Sequence, residues 1–228
     1  MRLDKFLVEC GICSRRETKD LIKNRLVFLN GVPAKTVTEN IVPGQDKVEF
    51  EGKTLEYKEF RYYIMNKREG YITAVDDYRD PTVMDLLPEW VNRKDLFPVG
   101  RLDKDTVGLL LFTNNGKLAH ELISPKKHVD KIYYVELEKN ISDSDMKLLE
   151  AGVDIGGYIT KPAQAERVSE NKIYLNIQEG KFHQVKKMMH AISNDVTYLK
   201  RIKFGNLELG NLELGAVKEI NIEDILSK

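Results

Sequence analysis

Three clusters of polar residues, each beside an apolar run, hold the side chains able to do chemistry. The first is Gly100-Arg101-Leu102-Asp103, followed by Lys104-Asp105-Thr106 and the apolar stretch from Val107 to Phe112. A glycine lets the backbone turn tightly, which brings an arginine and a carboxylate together just before a buried strand. Such a carboxylate can act as a nucleophile or base. By itself the pair reads equally as an ion pair closing a loop. The second cluster is Lys131-Ile132-Tyr133-Tyr134-Val135. On a strand, Lys131 and Tyr133 share one face and Tyr134 takes the other. One tyrosine then enters the core while the other can stack on a flat ligand; taken alone, the segment is better explained by two core tyrosines. The third runs from Glu179 through Gly180-Lys181-Phe182-His183-Gln184-Val185-Lys186-Lys187 to Met188. It is a glycine turn entering a helix, where backbone amides favour anions and three lysines add to the field.

Metal and redox chemistry find no support. His183 has no partner at ligand spacing in His120, His128 or His190, so no metal site is expected. Cys10-Gly11-Ile12-Cys13 matches a redox pattern, but it sits in a short helical stretch without a preceding strand or further ligands. Small cysteines pack well there, and the pair is read as structural. No cofactor is expected.

Two sets of elements must position these clusters. Residues 1–58 read as a small module of helix, helix and short strands. Leu3, Phe6, Leu7 and Ile12 are spaced for a helical face. Ser14 with Glu17 makes a capping box for a second helix reaching about Asn24. Leu26 to Leu29 is strand-like and runs into Asn30-Gly31, a strong hairpin signal; Val48-Glu49-Phe50 is another strand. Arg15, Arg16, Lys19, Lys23 and Arg25 cluster on and after the second helix. They form either a solvated face or a phosphate-binding one. After a charged linker at 56–61, residues 59–228 mix strands and helices without a regular βαβ rhythm. That predicts an α+β fold. Strands are expected at 61–65, 107–112, 131–137 and 172–177, and a helix from Val185 to Ile192. The tandem unit Gly205-Asn-Leu-Glu-Leu-Gly210-Asn-Leu-Glu-Leu-Gly215 reads as two short strand pieces with turns at the glycines.

Lys plus Arg and Asp plus Glu are 36 each among 228 residues, so any basic face is local. No apolar run approaches the roughly 18 residues of a membrane span. The start, Met1-Arg2-Leu3-Asp4-Lys5, lacks the apolar core of an export signal. A cytoplasmic, soluble monomer is expected.

The first module resembles an S4 RNA-binding domain through Arg2-Leu3-Asp4-Lys5-Phe6-Leu7, Gly11-Ile12-Cys13-Ser14-Arg15-Arg16 and Val27-Phe28-Leu29-Asn30-Gly31. The whole chain resembles the pseudouridine synthases of the RsuA type. The resemblance rests on Gly100-Arg101-Leu102-Asp103 with Asp105-Thr106, Gly108 to Leu111, Thr113-Asn114-Asn115-Gly116, Lys131 with Tyr133, Thr160-Lys161-Pro162-Ala163, and Glu179 to Met188. It implies a helix-helix-strand S4-like domain followed by a catalytic domain built on a mixed or antiparallel sheet. It implies Asp103 as the catalytic carboxylate, Arg101 as the group that helps displace the target base, Tyr133 as the aromatic packing on that base, and Lys186 as the basic partner of the aspartate. Lys181, His183 and Gln184, with Arg15, Arg16 and Lys19 in the first module, become RNA contacts. Lys181 stands where the family commonly has Arg, and cannot make a bidentate fork; Phe182 stands where Tyr is common.

The chemistry fits this set. Pseudouridine formation breaks the N1–C1′ bond, turns the uracil and rejoins it through C5, with no atom added or lost. The carboxylate can attack C1′ or C6, or assist loss of the 2′ proton. Taking the base out of its stack costs a few kcal/mol. Asp105-Thr106, Thr160 to Ala163 and Phe182-His183-Gln184 resemble the small-subunit 16S enzymes more than the large-subunit ones. The expected partner is therefore 16S ribosomal RNA, at a site of the uridine-516 type, or a small-subunit assembly particle. A 23S enzyme and a non-catalytic ribosome-assembly factor are the competing readings. A nucleoside hydrolase would want a second carboxylate, and only Asp105 is near.

Overall fold

Leu3, Phe6 and Leu7 fall on one face of α1 (Leu3–Glu9) and are fully or almost fully buried. They pack with Ile22 of α2 (Thr18–Lys23), with Val27 of β1 (Val27–Leu29) and Val48 of β3 (Val48–Phe50), and with Ile41. In the computed structural model, which describes residues 1–124 and 127–227, this core belongs to one of two compact units. The unit comprises Met1–Phe60 and Glu89–Leu96. Its four-stranded sheet has the order β2-β1-β3-β4, with β2 at Val32–Pro33 and β4 at Lys53–Thr54. Asn30 and Gly31 both have positive φ, 52° and 81°, the backbone that a two-residue hairpin needs to match strand twist. Cys10 and Cys13 are half-buried thiols packed against this core.

Two local details differ from the sequence reading. The Ser14–Glu17 box forms, with Ser14 N–H donating to Glu17 Oε2 at 2.7 Å. It closes a turn over residues 15–17, however, and the regular helix starts only at Thr18. The segment Glu89–Leu96, far along the chain, also belongs to this unit. Asn92 Nδ2 donates to Glu9 O at 2.8 Å, and Lys94 Nζ reaches Glu9 Oε1 at 2.8 Å.

The second unit comprises Arg61–Pro88 and the residues from Phe97 on. Its strands are β5 (Tyr62–Lys67), β6 (Phe97–Val99), β7 (Val107–Thr113), β8 (Lys131–Leu137), β9 (Gln164–Ser169), β10 (Lys172–Ile177), β11 (Val196–Phe204), β12 (Leu207–Glu208) and β13 (Val217–Ile220). Its helices are α3 (Gly116–Ile123), α4 (Asp143–Ala151), α5 (Gln184–Ala191) and α6 (Ile222–Leu226). The sheet order is β13-β5-β7-β11-β8-β10-β9, with β12 on β11 and β6 on β7. Pairing is antiparallel except between β7 and β11. The expected α+β class and mixed sheet are what is found.

β7 explains itself. All seven of its residues are buried, so it reads as a continuous apolar run rather than an alternating one. Leu109, Leu110, Leu111 and Phe112 each stabilise the fold by roughly 1.5–3 kcal/mol through burial. Gly108 interrupts the run for a steric reason. A Cβ there would lie 2.2 Å from Arg201 O, and the backbone has φ +105°. Only glycine lets β7 and β11 run side by side.

The Gly205–Gly215 repeat is a correction. Its first copy gives β12, with Leu207 and Leu209 in the core. The second copy is not a strand. It is latched to β5 instead, with Asn66 Nδ2 donating to Leu212 O at 2.8 Å and Gly215 N–H to Asn66 O at 2.7 Å. No helix among the described residues is long and apolar enough to cross a membrane.

Candidate active site

The sheet register gathers the three clusters. Gly108 of β7 pairs with Arg201 of β11, Arg201 with Tyr133 of β8, and Tyr133 with Leu175 of β10. The loop before β7 therefore lies in the same region as the start of β8 and the loop leaving β10. Together they line a cavity of about 1020 Å³, whose walls include Arg101, Asp103, Tyr133, Arg201, Lys181 and His183. That is room enough for a nucleotide.

The loop carrying Asp103 is pinned by its backbone. Lys67, at the end of β5, is completely buried. Its Nζ donates to Arg68 O (2.9 Å), Asp103 O (3.1 Å), Lys104 O (3.3 Å) and Thr106 O (2.9 Å). Burial pushes the Lys67 ammonium down to about 8, against the pull of Asp105, Asp103 and Glu69. Thr73 closes the other side: its hydroxyl donates to Leu102 O (2.7 Å) and accepts from Leu102 N–H (3.1 Å). Gly100 has φ +72°, the turn anticipated from its glycine.

With its backbone fixed, the Asp103 side chain points to an imidazole and an ammonium group rather than to its neighbour Arg101. Oδ1 lies 3.5 Å from His183 Nε2 and Oδ2 lies 3.8 Å from Lys186 Nζ. Arg101 is exposed on the cavity wall and makes no ion pair among the described residues. The structural alternative of an Arg101–Asp103 pair closing the loop is not realised.

Lys186 is shared between two carboxylates. Its ammonium bonds Asp105 at 2.5 and 2.6 Å, and stands only at ion-pair distance from Asp103. Asp105 thus holds the lysine that faces Asp103. Burial would raise the Asp105 pKa, but the bond and charge of Lys186 outweigh it and hold the carboxyl below its ordinary value.

Tyr133 is buried on the cavity side. Tyr134 takes the opposite face, its ring 5.8 Å from Tyr174 and 6.2 Å from Tyr198. This is the division that strand alternation requires. Deeper, Arg201 is 1% exposed and donates from Nε to Leu109 O at 2.8 Å. Lys131 faces the same cavity. Burial, with Arg201 nearby, pushes its ammonium down to about 8 despite Asp130 and Glu179.

The third cluster is organised by its first residue, to which the sequence analysis gave no role of its own. Glu179 is buried and accepts from Tyr158 Oη (2.6 Å), Lys161 N–H (2.8 Å) and Gln184 Nε2 (3.1 Å). Gln184 also accepts from Lys181 N–H at 2.9 Å. Gln184, expected to contact RNA, lines the cavity but is buried, with its amide used within the turn. Lys181 and His183 do lie on the cavity wall, Lys181 with its ammonium 4.1 Å from the centre of the Tyr158 ring.

In the other unit, Arg15 and Arg16 are exposed in the turn before α2, and Lys19 is exposed on that helix. Lys19, Lys23, Arg25 and Lys35 rim a second cavity of about 640 Å³. No His, Cys, Asp and Glu group fit to hold a metal occurs among the described residues.

The sequence pattern of RNA pseudouridylate synthases matches residues 61–191, and that of the S4 domain matches residues 1–46. The chain belongs to the RNA pseudouridylate synthase family. It is an RNA pseudouridine synthase, an isomerase. A Bacillus subtilis (strain 168) protein named "Uncharacterized RNA pseudouridine synthase YtzG" is 50% identical, over 92% of this synthase and 90% of that protein. "Ribosomal small subunit pseudouridine synthase A" of Escherichia coli (strain K12) is 36% identical over 92% of this chain and 91% of its own. A solved structure titled "Crystal structure of pseudouridylate synthase" superposes with a TM-score of 0.68 at 33% identity, covering 99% of this synthase and 98% of that chain.

Proposed function

We propose that this synthase isomerises a specific uridine of small-subunit ribosomal RNA, the 16S molecule, with Asp103 as its essential carboxylate. The observation that carries the catalytic part is the placement of Asp103: held by its backbone, turned from Arg101, and facing His183 and Lys186 on a nucleotide-sized cavity. The relatives named for the small ribosomal subunit support the choice of RNA.

In this reading the target uridine leaves its stack and enters the cavity. Arg101, exposed and without an ion-pair partner among the described residues, fills the gap in the RNA. Tyr133 packs against the uracil. Asp103 assists cleavage of N1–C1′, either by direct attack or by taking a proton. The freed base turns, C5 bonds to C1′, and the C5 proton is lost as N1 gains one, so the atoms balance without a co-reactant. Lys186 keeps a positive charge near the carboxylate while Asp105 anchors that lysine. Arg15, Arg16 and Lys19 meet phosphates, docking the RNA by charge and shape.

The test is to incubate the protein with 16S transcript, 23S transcript and partly assembled small subunits. Pseudouridine is then mapped by carbodiimide-induced reverse-transcription stops. A single stop in 16S RNA is expected, with the uridine-516 position examined first. A stop confined to 23S RNA overturns the choice of substrate. Binding without any stop would favour an assembly factor.

A further inference from the structure

Phe182 is not used by the chemistry above, yet its setting is specific. It is 63% exposed at the wall of the cavity. Its ring stacks on His183, with centroids 3.8 Å apart and planes 20° from parallel. The turn beneath it is closed from both sides: Lys181 N–H donates to Gln184 Oε1 at 2.9 Å, and Gln184 N–H to Lys181 O at 3.1 Å. His183 adopts φ +52°, a conformation that costs a non-glycine residue on the order of 1 kcal/mol and persists only where its surroundings impose it. The backbone is thus shaped so that Phe182 projects outward and His183 reaches Asp103 from beneath it.

Asp103 faces His183, and a cation lies over the Phe182 ring. Lys187 Nζ lies 5.4 Å from the centre of the Phe182 ring, and Lys181, next in the chain, is exposed. A single exposed apolar side chain is ordinary. An exposed ring on a cavity wall, stacked on an imidazole and with an ammonium group over it, resembles the arrangement that proteins use to hold single-stranded nucleic acid: an aromatic for the base and cations for the phosphates.

We propose that the Phe182–His183 stack is a platform for the nucleobase next to the target uridine, with Lys187 moving to the phosphate between them. This deepens, and rests on, the reading that the cavity receives a uridine of RNA. The neighbouring base then loses one stacking partner, the flipped uracil, and gains another in Phe182.

The test uses the full chain and a single-stranded oligoribonucleotide carrying one uridine flanked on each side by 2-aminopurine, whose emission falls when it stacks. The expected result is quenching on binding. Phe182→Ala and Phe182→Leu should lose the quench and raise Kd on the order of tenfold. Phe182→Tyr and Phe182→Trp should restore both. The slope of log Kd against log salt should stay unchanged in the Ala variant, because stacking releases no counterions, and should fall by about one in Lys187→Ala. Wild-type affinity and quench in Phe182→Leu would overturn the proposal, since leucine supplies an apolar surface without a flat π face. An Ala variant with unchanged Kd would overturn it as well. If the wild-type chain isomerises no uridine in any ribosomal RNA, the proposed function fails while the quench still reports on the platform. If isomerisation is intact and no quench occurs, the platform alone fails.

Discussion

Replacing Lys67 with methionine keeps the length and apolar stem of the side chain and removes its three N–H donors. In the native protein these serve four carbonyls, three of them in the loop of Asp103. Leaving a buried carbonyl unmet costs about 1–3 kcal/mol, so three or more cost roughly 3–9 kcal/mol. Against this, the buried ammonium itself is unfavourable. Its fall from 10.5 to about 8 corresponds to about 3 kcal/mol at 1.36 kcal/mol per pH unit, which methionine does not incur. The net destabilisation of Lys67→Met is then about 3 kcal/mol, within a range of roughly 0–6. Urea unfolding should show it as a lower midpoint at an unchanged slope. Single-turnover isomerisation should fall on the order of a hundredfold, since the Asp103 backbone is no longer fixed. The pH dependence follows from the sign of the shift. Below about pH 8 the ammonium is charged in both folded and unfolded chains, and its burial penalty is complete. Between about 8 and 10.5 the unfolded chain binds more protons than the folded one, so this penalty is relieved as pH rises. The stability difference between wild type and Lys67→Met should therefore widen in favour of wild type across that window. An unchanged midpoint together with unchanged turnover would refute the assignment of Lys67 as the anchor of the loop.

Three other outcomes are expected. Gly108→Ala places a Cβ 2.2 Å from Arg201 O; it should separate β7 from β11 and cost several kcal/mol, seen as loss of soluble, cooperatively unfolding protein. Asp105, held below its ordinary pKa of 3.8 through Lys186, contributes stability above that value and loses it as pH falls through the lower folded value; Asp105→Asn should flatten that acid limb of the unfolding profile. Changing Arg15, Arg16 and Lys19 together to alanine should weaken RNA binding and reduce the salt slope by up to about three, with the thermal midpoint of the protein unchanged.

The parts legible in the sequence were those encoded locally. Asn30-Gly31 specifies a hairpin through two positive φ angles that most residue pairs resist. Strand alternation separates Tyr133 from Tyr134 without reference to the rest of the fold. Asp103, Tyr133 and Lys186 were singled out by the resemblance of their segments, taken in order, to a known family, each segment alone being ambiguous. What escaped depends on contacts between distant positions. Lys67 acts on carbonyls 36 to 39 residues away, and nothing in Asn66-Lys67-Arg68 announces a buried ammonium. Lys186 meets Asp105 across 81 residues, so spacing could not show which of two carboxylates it would bond. Glu89–Leu96 joins the first unit through Glu9, a return that composition does not mark. The second Asn-Leu-Glu-Leu copy matches the first letter for letter, yet Asn66 captures its backbone and keeps it from forming a strand.

The most direct test of the central claim is Asp103→Asn, a change of charge with almost no change of shape. With 16S transcript as substrate, the carbodiimide-dependent stop made by the wild-type chain should disappear, while the Kd for the same RNA stays within about twofold, because Asp103 makes no phosphate contact in this account. Pseudouridine formed by Asp103→Asn at the wild-type rate would contradict it.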